Sequence, residues 1–139
     1  MMNIKDFAEK VACNPDTLRF YEKMGLLVPA RTAGNYREYT VADLATYRII
    51  HSLKRAGLPL EEIQEILCLR SADVDATCCA DTLRFITGKH AQFIDNQHFY
   101  AELALLTDQM AEALTTSTLS KSELDAMIEE LGELDDQVV

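Results

Sequence analysis

The stretch CNPDTLRFYEKMGLL, residues 13–27, contains the start and stop signals of a short helix. Asn14 is a capping residue, Pro15 suits the first helical position, and Asp16 complements the positive end of the helix dipole. Gly25 supplies the residue that closes it. Upstream, Ile4, Phe7, Ala8 and Val11 recur at spacings of three and four, which predicts a first amphipathic helix of two or three turns. Two short helices joined by a tight turn form a helix-turn-helix, whose second helix can enter a DNA major groove.

Downstream, VPARTAGNYREYT places Gly-Asn between β-favouring residues and reads as a hairpin. A third helix opens at Thr40, runs through Leu44, Tyr47, Ile50, Leu53 and Lys54, and ends at Gly57. PLEEIQEILCLR follows as a fourth, with Leu60, Ile63, Ile66 and Leu67 on one face. Four helices and a hairpin within about seventy residues outline a winged helix-turn-helix.

From 78 to 114 there is no proline and a single glycine, enough for a helix of about 50 Å at ~1.5 Å per residue. Ile86, His90, Phe93, Gln97, Tyr100, Ala104, Thr107, Ala111 and Leu114 alternate by three and four, the spacing of a coiled-coil seam. His90 and Gln97 are then polar residues that set register. A second apolar face carries Phe99, Leu103, Leu106 and Met110. One helix cannot bury both, so one face should meet a partner chain and the other the head or the tail. The threonine-rich residues 115–118 break the pattern, and SKSELDAMIEEL begins a last acidic helix with a Ser120–Glu123 capping box. The expected division is a head at 1–70, a hinge at 71–77, a dimerisation helix at 78–114 and an acidic tail at 115–139.

Net charge is −10 over 139 residues, yet it is unevenly spread. Residues 1–58 hold nine Lys/Arg against six Asp/Glu, and residues 71–139 hold three against fourteen. A cationic head with an acidic remainder suits a DNA backbone at one end only. No stretch reaches the roughly 18 apolar residues of a membrane span. The amphipathic start, MMNIKDFAEKVA, is no secretory signal, so the four cysteines read as thiols of a reducing compartment and the expected location is the cytoplasm. No acid, base and nucleophile fall at usable spacing, so no enzyme is expected.

In these residues the chain resembles the MerR family of bacterial transcription regulators. The matching pieces are IKDFAEKVACNPDTLRFYEKMGLLVPAR, GNYREYTVADLATYRIIHSLKRAGLPLEEI and a long helix preceded by a cysteine. The likeness is dense over 2–70 and holds in outline over 71–114. It implies a mainly α fold, in which a winged helix-turn-helix head precedes a long antiparallel coiled-coil dimerisation helix and a short C-terminal helix. It also implies a homodimer on double-stranded promoter DNA, where an effector distorts an overlong spacer so that RNA polymerase can align with both promoter elements.

Carried over by position, the implied DNA contacts are Thr17, Arg19, Phe20 and Tyr21 in the second helix, Tyr36, Arg37 and Tyr39 in the wing, and Lys54 and Arg55 at the end of the third helix. Members often have Tyr-Tyr where this chain has Phe20-Tyr21; Phe20 offers apolar contact with thymine methyls. Asn35 stands where glycine is frequent, and asparagine tolerates a left-handed turn. Pro59 replaces a common serine cap.

Metal-sensing members pair a cysteine at the start of the dimer helix with a cysteine-containing loop after that helix in the other subunit. Cys78 and Cys79 occupy the matching start, but no cysteine follows them, so an all-thiolate site of that type cannot form. Three readings remain for the pair. These are binding of a thiophilic divalent or monovalent metal ion, reaction with oxidants or electrophiles, and service as small packing residues. Cys13 and Cys68 read as core. An excisionase-like architectural DNA binder shares the head but has little use for a long arm. A protein-interaction adaptor using the acidic tail is the remaining alternative.

Overall fold

In the computed structural model the chain forms two compact units, Met1–Asp73 and Val74–Val139. The structure describes residues 1–70, 76–116 and 120–135, with only the helical backbone at 76–79. The first unit contains α1 (Ile4–Lys10), α2 (Pro15–Lys23), β1 (Ala30–Arg31), β2 (Arg37–Glu38), α3 (Val41–Arg55) and α4 (Leu60–Cys68). The second contains α5 (Ala76–Thr116) and α6 (Lys121–Glu133).

Local chemistry sets the head's boundaries. Asn3 and Asn14 cap α1 and α2 by accepting the N–H groups of Asp6 and Asp16 at 2.8 and 2.9 Å. Thr40 and Asp43 form a reciprocal capping box at the start of α3. Pro59 precedes α4 without a side-chain cap.

Three helix ends repeat one device, in which two N–H groups fold back onto the last carbonyls. Cys13 and Ala12 bond Ala8 and Glu9, Leu26 and Gly25 bond Tyr21 and Glu22, and Leu58 and Gly57 bond Leu53 and Lys54. The left-handed seat is held by Gly25 and Gly57 in two of them, and by Ala12 (φ 56°) in the helix-turn-helix turn.

The wing pairs β1 and β2 antiparallel, Ala30 with Glu38 and Arg31 with Arg37. Its loop closes through Thr32, which donates its N–H to the Tyr36 carbonyl at 2.8 Å, and Asn35 takes the left-handed turn at φ 65°. Beyond it, Met2 and Tyr39 exchange two backbone hydrogen bonds, at 2.9 and 2.7 Å, which fastens the N-terminus to the wing. The core then closes on aromatics. Phe7 stacks on Tyr39 with centroids 4.5 Å apart and meets Tyr47 edge-on, with Leu18, Ile50 and Ile63 fully buried around them.

The second unit is built differently. α5 runs 41 residues, about 60 Å, and α6 packs against it. Leu106 is buried on α5, with Phe99, Leu103, Met110 and Ala113 half-buried on the same stripe. Leu124, Met127, Leu131 and Leu134 are the half-buried positions on the α6 side. The tail thus takes the second apolar face, and the seam with Ile86, Phe93 and Tyr100 stays exposed.

Two expectations need correction. α5 extends beyond 78–114 at both ends, so residues 76 and 77 of the expected hinge are helical; 71–75 lie outside the described residues. At its C-terminal end, Thr115 and Thr116 are helical, with their hydroxyls donating to the Ala111 and Ala113 carbonyls at 2.8 and 3.0 Å in place of water. Cys68 is exposed rather than core, because it falls on the outer face of the last turn of α4; Cys13 is half-buried.

Candidate nucleic-acid interface

α2 starts on its Asn14 cap and exposes Arg19 and Phe20 while burying Leu18. Arg19 bonds Asp16 at 2.7 Å in a solvated pair on the same helix. Such pairs contribute little, so the guanidinium is readily released to a phosphate or a guanine edge. Phe20 is 44% exposed, and Thr17 is half-buried one turn from the cap. In the wing, Tyr36 is 73% exposed. A Cβ on Gly34 would lie 3.2 Å from the Tyr36 ring, so glycine leaves room for that ring at the tip. Lys54 and Arg55 are exposed at the end of α3, and Arg55 makes no ion pair among the described residues.

Two candidates are not surface residues. Tyr39 is 0% exposed, because its bridge to Met2 turns the ring onto Phe7. It is a core residue of the head, not a contact. Tyr21 is 3% exposed, but its hydroxyl reaches the edge and accepts from Lys54 Nζ at 3.2 Å. It ties α2 to the basic end of α3, and Lys54 also lies 5.6 Å from the ring centroid.

Arg37 is half-buried and engaged. Its Nε donates to Glu22 Oε2 at 2.5 Å, while Arg31 Nη2 donates to Glu22 Oε1 at 2.6 Å. Arg31 also donates to the Asn35 carbonyl at 3.1 Å, which links the same charge to the wing turn. Hydrogen bonding from Arg37 holds the Glu22 carboxyl below its ordinary value; burial opposes this and Arg31 adds to it. Glu22 and Arg31 were missed in the sequence. The signal is the register of the hairpin, visible only in the folded chain: it sets Arg31 directly opposite Arg37, and like charges across a strand pair call for a counter-ion.

The buried polar groups nearby are quiet. Burial pushes the Tyr47 hydroxyl up to about 12, with Cys13 and Tyr21 adding to the effect. Burial also raises the Cys13 thiol, against a smaller lowering by its bond to Tyr47, which makes it a poor nucleophile at neutral pH. Among the described residues, no three of His, Cys, Asp and Glu gather as a metal site. Cys78 and Cys79 fall in the first turn of α5, and their side chains lie outside the described residues. His90, Gln97 and Ala104, like Ile86, Phe93 and Tyr100, are on the exposed seam.

A reading head with this order of elements has known counterparts. Residues 2–68 match the MerR HTH family regulatory proteins, and residues 44–113 match the family described as MerR, DNA binding. The chain belongs to the MerR family. MerR-family proteins are DNA-binding transcription regulators rather than enzymes. An uncharacterized HTH-type transcriptional regulator of Synechocystis sp. is 32% identical over 116 residues, 83% of this chain and 81% of that one. A MerR-family regulator from Bacillus cereus superposes with a TM-score of 0.62 at 26% identity, over 96% of this chain and 98% of its own. PbrR691 from Ralstonia metallidurans CH34, solved in complex with lead(II), gives 0.56 at 27% identity, over 91% and 99%. Among the described residues, no helix is long and apolar enough to cross a membrane.

Proposed function

We propose that this MerR-family regulator works as a homodimer on a palindromic promoter, distorting an overlong spacer for RNA polymerase in response to a soft, thiol-seeking effector. The observation that carries the DNA reading is the head itself. Arg19, Phe20, Tyr36, Lys54 and Arg55 are exposed on three elements that Tyr21 and Glu22 fasten together. Thr17 and Arg37 stand beside them as half-buried contacts. The dimer reading rests on α5, whose seam stays exposed while α6 covers the other face. An excisionase-like binder has little use for a 41-residue arm of this kind.

The effector reading rests on Cys78 and Cys79, and lead(II) bound to the similar PbrR691 supports a metal. The donor set limits which metal. Two adjacent thiols and no later cysteine suit a soft ion of low coordination number, not a four-coordinate zinc held by one chain. Those two thiols would hold the ion, which would supply a link that biases the start of α5. The first turn of a helix also lowers a thiol's pKa, so capture of an oxidant or electrophile is the second reading.

Native mass spectrometry of the reduced Cys68→Ser protein tests this, the substitution removing the exposed competing thiol. After exposure to zinc, cadmium, lead or copper(I), retained metal should vanish with Cys78→Ser and with Cys79→Ser. A metal-free dimer retires the metal reading, and covalent adducts at the same residues would establish the other. Selection from a random duplex library should return a palindrome; recovery of a single half-site would end the dimer reading.

A further inference from the structure

We infer that Glu22 is a positioning residue that sets sequence specificity by withholding the wing's arginines from indiscriminate phosphate binding. The inference rests on the DNA-binding reading above and deepens it. Glu22 lies in the last turn of α2 and grips both wing strands at once, Arg31 through Oε1 and Arg37 through Oε2. The carboxylate is 17% exposed and the two arginines are 38% and 26% exposed, so this is a partly desolvated three-charge network rather than a solvated pair. Its neighbour Tyr21 bonds Lys54 at 3.2 Å. Two consecutive residues therefore tie the recognition helix to the end of α3 on one side and to the wing on the other.

The network has two consequences. It fixes the angle between wing and recognition helix, which sequence readout needs. It also neutralises part of the wing's positive charge, which lowers the sequence-independent attraction that any guanidinium has for DNA. Without Glu22, two guanidiniums opposite one another would repel, splay the wing and seek phosphates.

The test uses the full-length dimer with two probes, calf-thymus DNA and a duplex that the wild type selects from a random library, each titrated over a range of salt. In Glu22→Gln, affinity for calf-thymus DNA should rise about threefold and its salt slope should steepen by about one to two, as each freed arginine displaces counterions. Affinity for the selected duplex should fall about tenfold. A purely structural role would leave the slope unmoved, so loss of both affinities at constant slope overturns the inference. A parallel rise of both does so too, because it marks Glu22 as a mere negative charge. If Glu22→Gln fails to fold, Glu22→Asp decides. It keeps the charge but cannot span both arginines, so the ratio of selected to calf-thymus affinity should drop at least threefold; an unchanged ratio overturns the inference. If the wild type binds calf-thymus DNA but selects no common sequence, there is no specificity for Glu22 to set, and the inference is overturned while DNA binding stands. If the wild type binds neither probe, the DNA-binding reading fails, and the inference falls with it.

Discussion

The head and the arm bury apolar surface in opposite ways. In the head, eleven buried residues from α1 to α4 form one cluster around Phe7, Tyr39 and Tyr47. In the arm, Leu106 is the one buried hydrophobic among the described residues, while Leu83, Ile86, Phe93, Ile94, Tyr100, Leu105 and Leu114 stay exposed along α5. A head of about seventy residues closes its core with stacked aromatics and repeated helix-end motifs. A single long helix with one short companion cannot do so, since solvent reaches most of its circumference. The difference teaches that the head closes its core within one chain, whereas the arm leaves an apolar seam open, which the proposed homodimer would cover.

That contrast is broken most severely from the head side. Phe7→Ala removes the ring that Tyr39 stacks on and Tyr47 meets edge-on, and should cost about 3–5 kcal/mol in chemical denaturation. The loss should not depend on protein concentration. On the arm, Phe93→Glu places a charge in the exposed seam, where each copy would otherwise bury an aromatic worth about 1.5–3 kcal/mol. Sedimentation should show a dimer weakened by at least a hundredfold. Unfolding of the variant's head should keep the wild-type midpoint. An intact dimer would transfer the interface to another face of α5.

How far each region was legible follows from the range of its determinants. Asn14 and Pro15 act within the first turn of α2 and Gly25 acts just past its last, so both ends could be bounded from local residues, as could the start of α6 from Ser120 and Glu123. The end of α5 was misjudged because threonine is a poor helix former in general, but propensity is a weak guide and the helix continues through Thr115 and Thr116. Tyr39 was misplaced because its orientation depends on Met2, far away in the chain, and no local pattern reports that bridge. Glu22 was overlooked for a similar reason, since its partners come from strands whose register is known only after folding. The arm's two faces were legible as a pair, but which one the tail covers was not.

Acid should sharpen the contrast within the head. The folded Glu22 carboxyl is held below its unfolded value by Arg37, so the folded state binds fewer protons and gains stability as pH rises through that window. The gain is fully present above the unfolded carboxylate value of about 4.3 and is lost as pH falls through the lowered folded value. Melting of wild type against Glu22→Gln should show a gap at neutral pH that narrows below pH ~4. A gap of constant size would mean that the carboxylate's charge is not what stabilises the wing.

The smallest effect is expected at the helix-turn-helix turn. Ala12 occupies the left-handed seat that Gly25 and Gly57 hold in the other two helix ends of the same design. A non-glycine residue there carries roughly 1–2 kcal/mol of backbone strain. Glycine would relieve that strain but would add back about 0.4–1 kcal/mol of unfolded-chain entropy. Ala12→Gly should therefore stabilise the head by up to about 1 kcal/mol, read as a rise in Tm, and should leave the Phe93→Glu dimer defect untouched in the double variant. A fall in Tm would show that the Ala12 methyl makes a contact worth more than the strain, and the three helix ends would no longer be equivalent. Recovery of the dimer by Ala12→Gly would instead deny the head the independence that the comparison assigns to it.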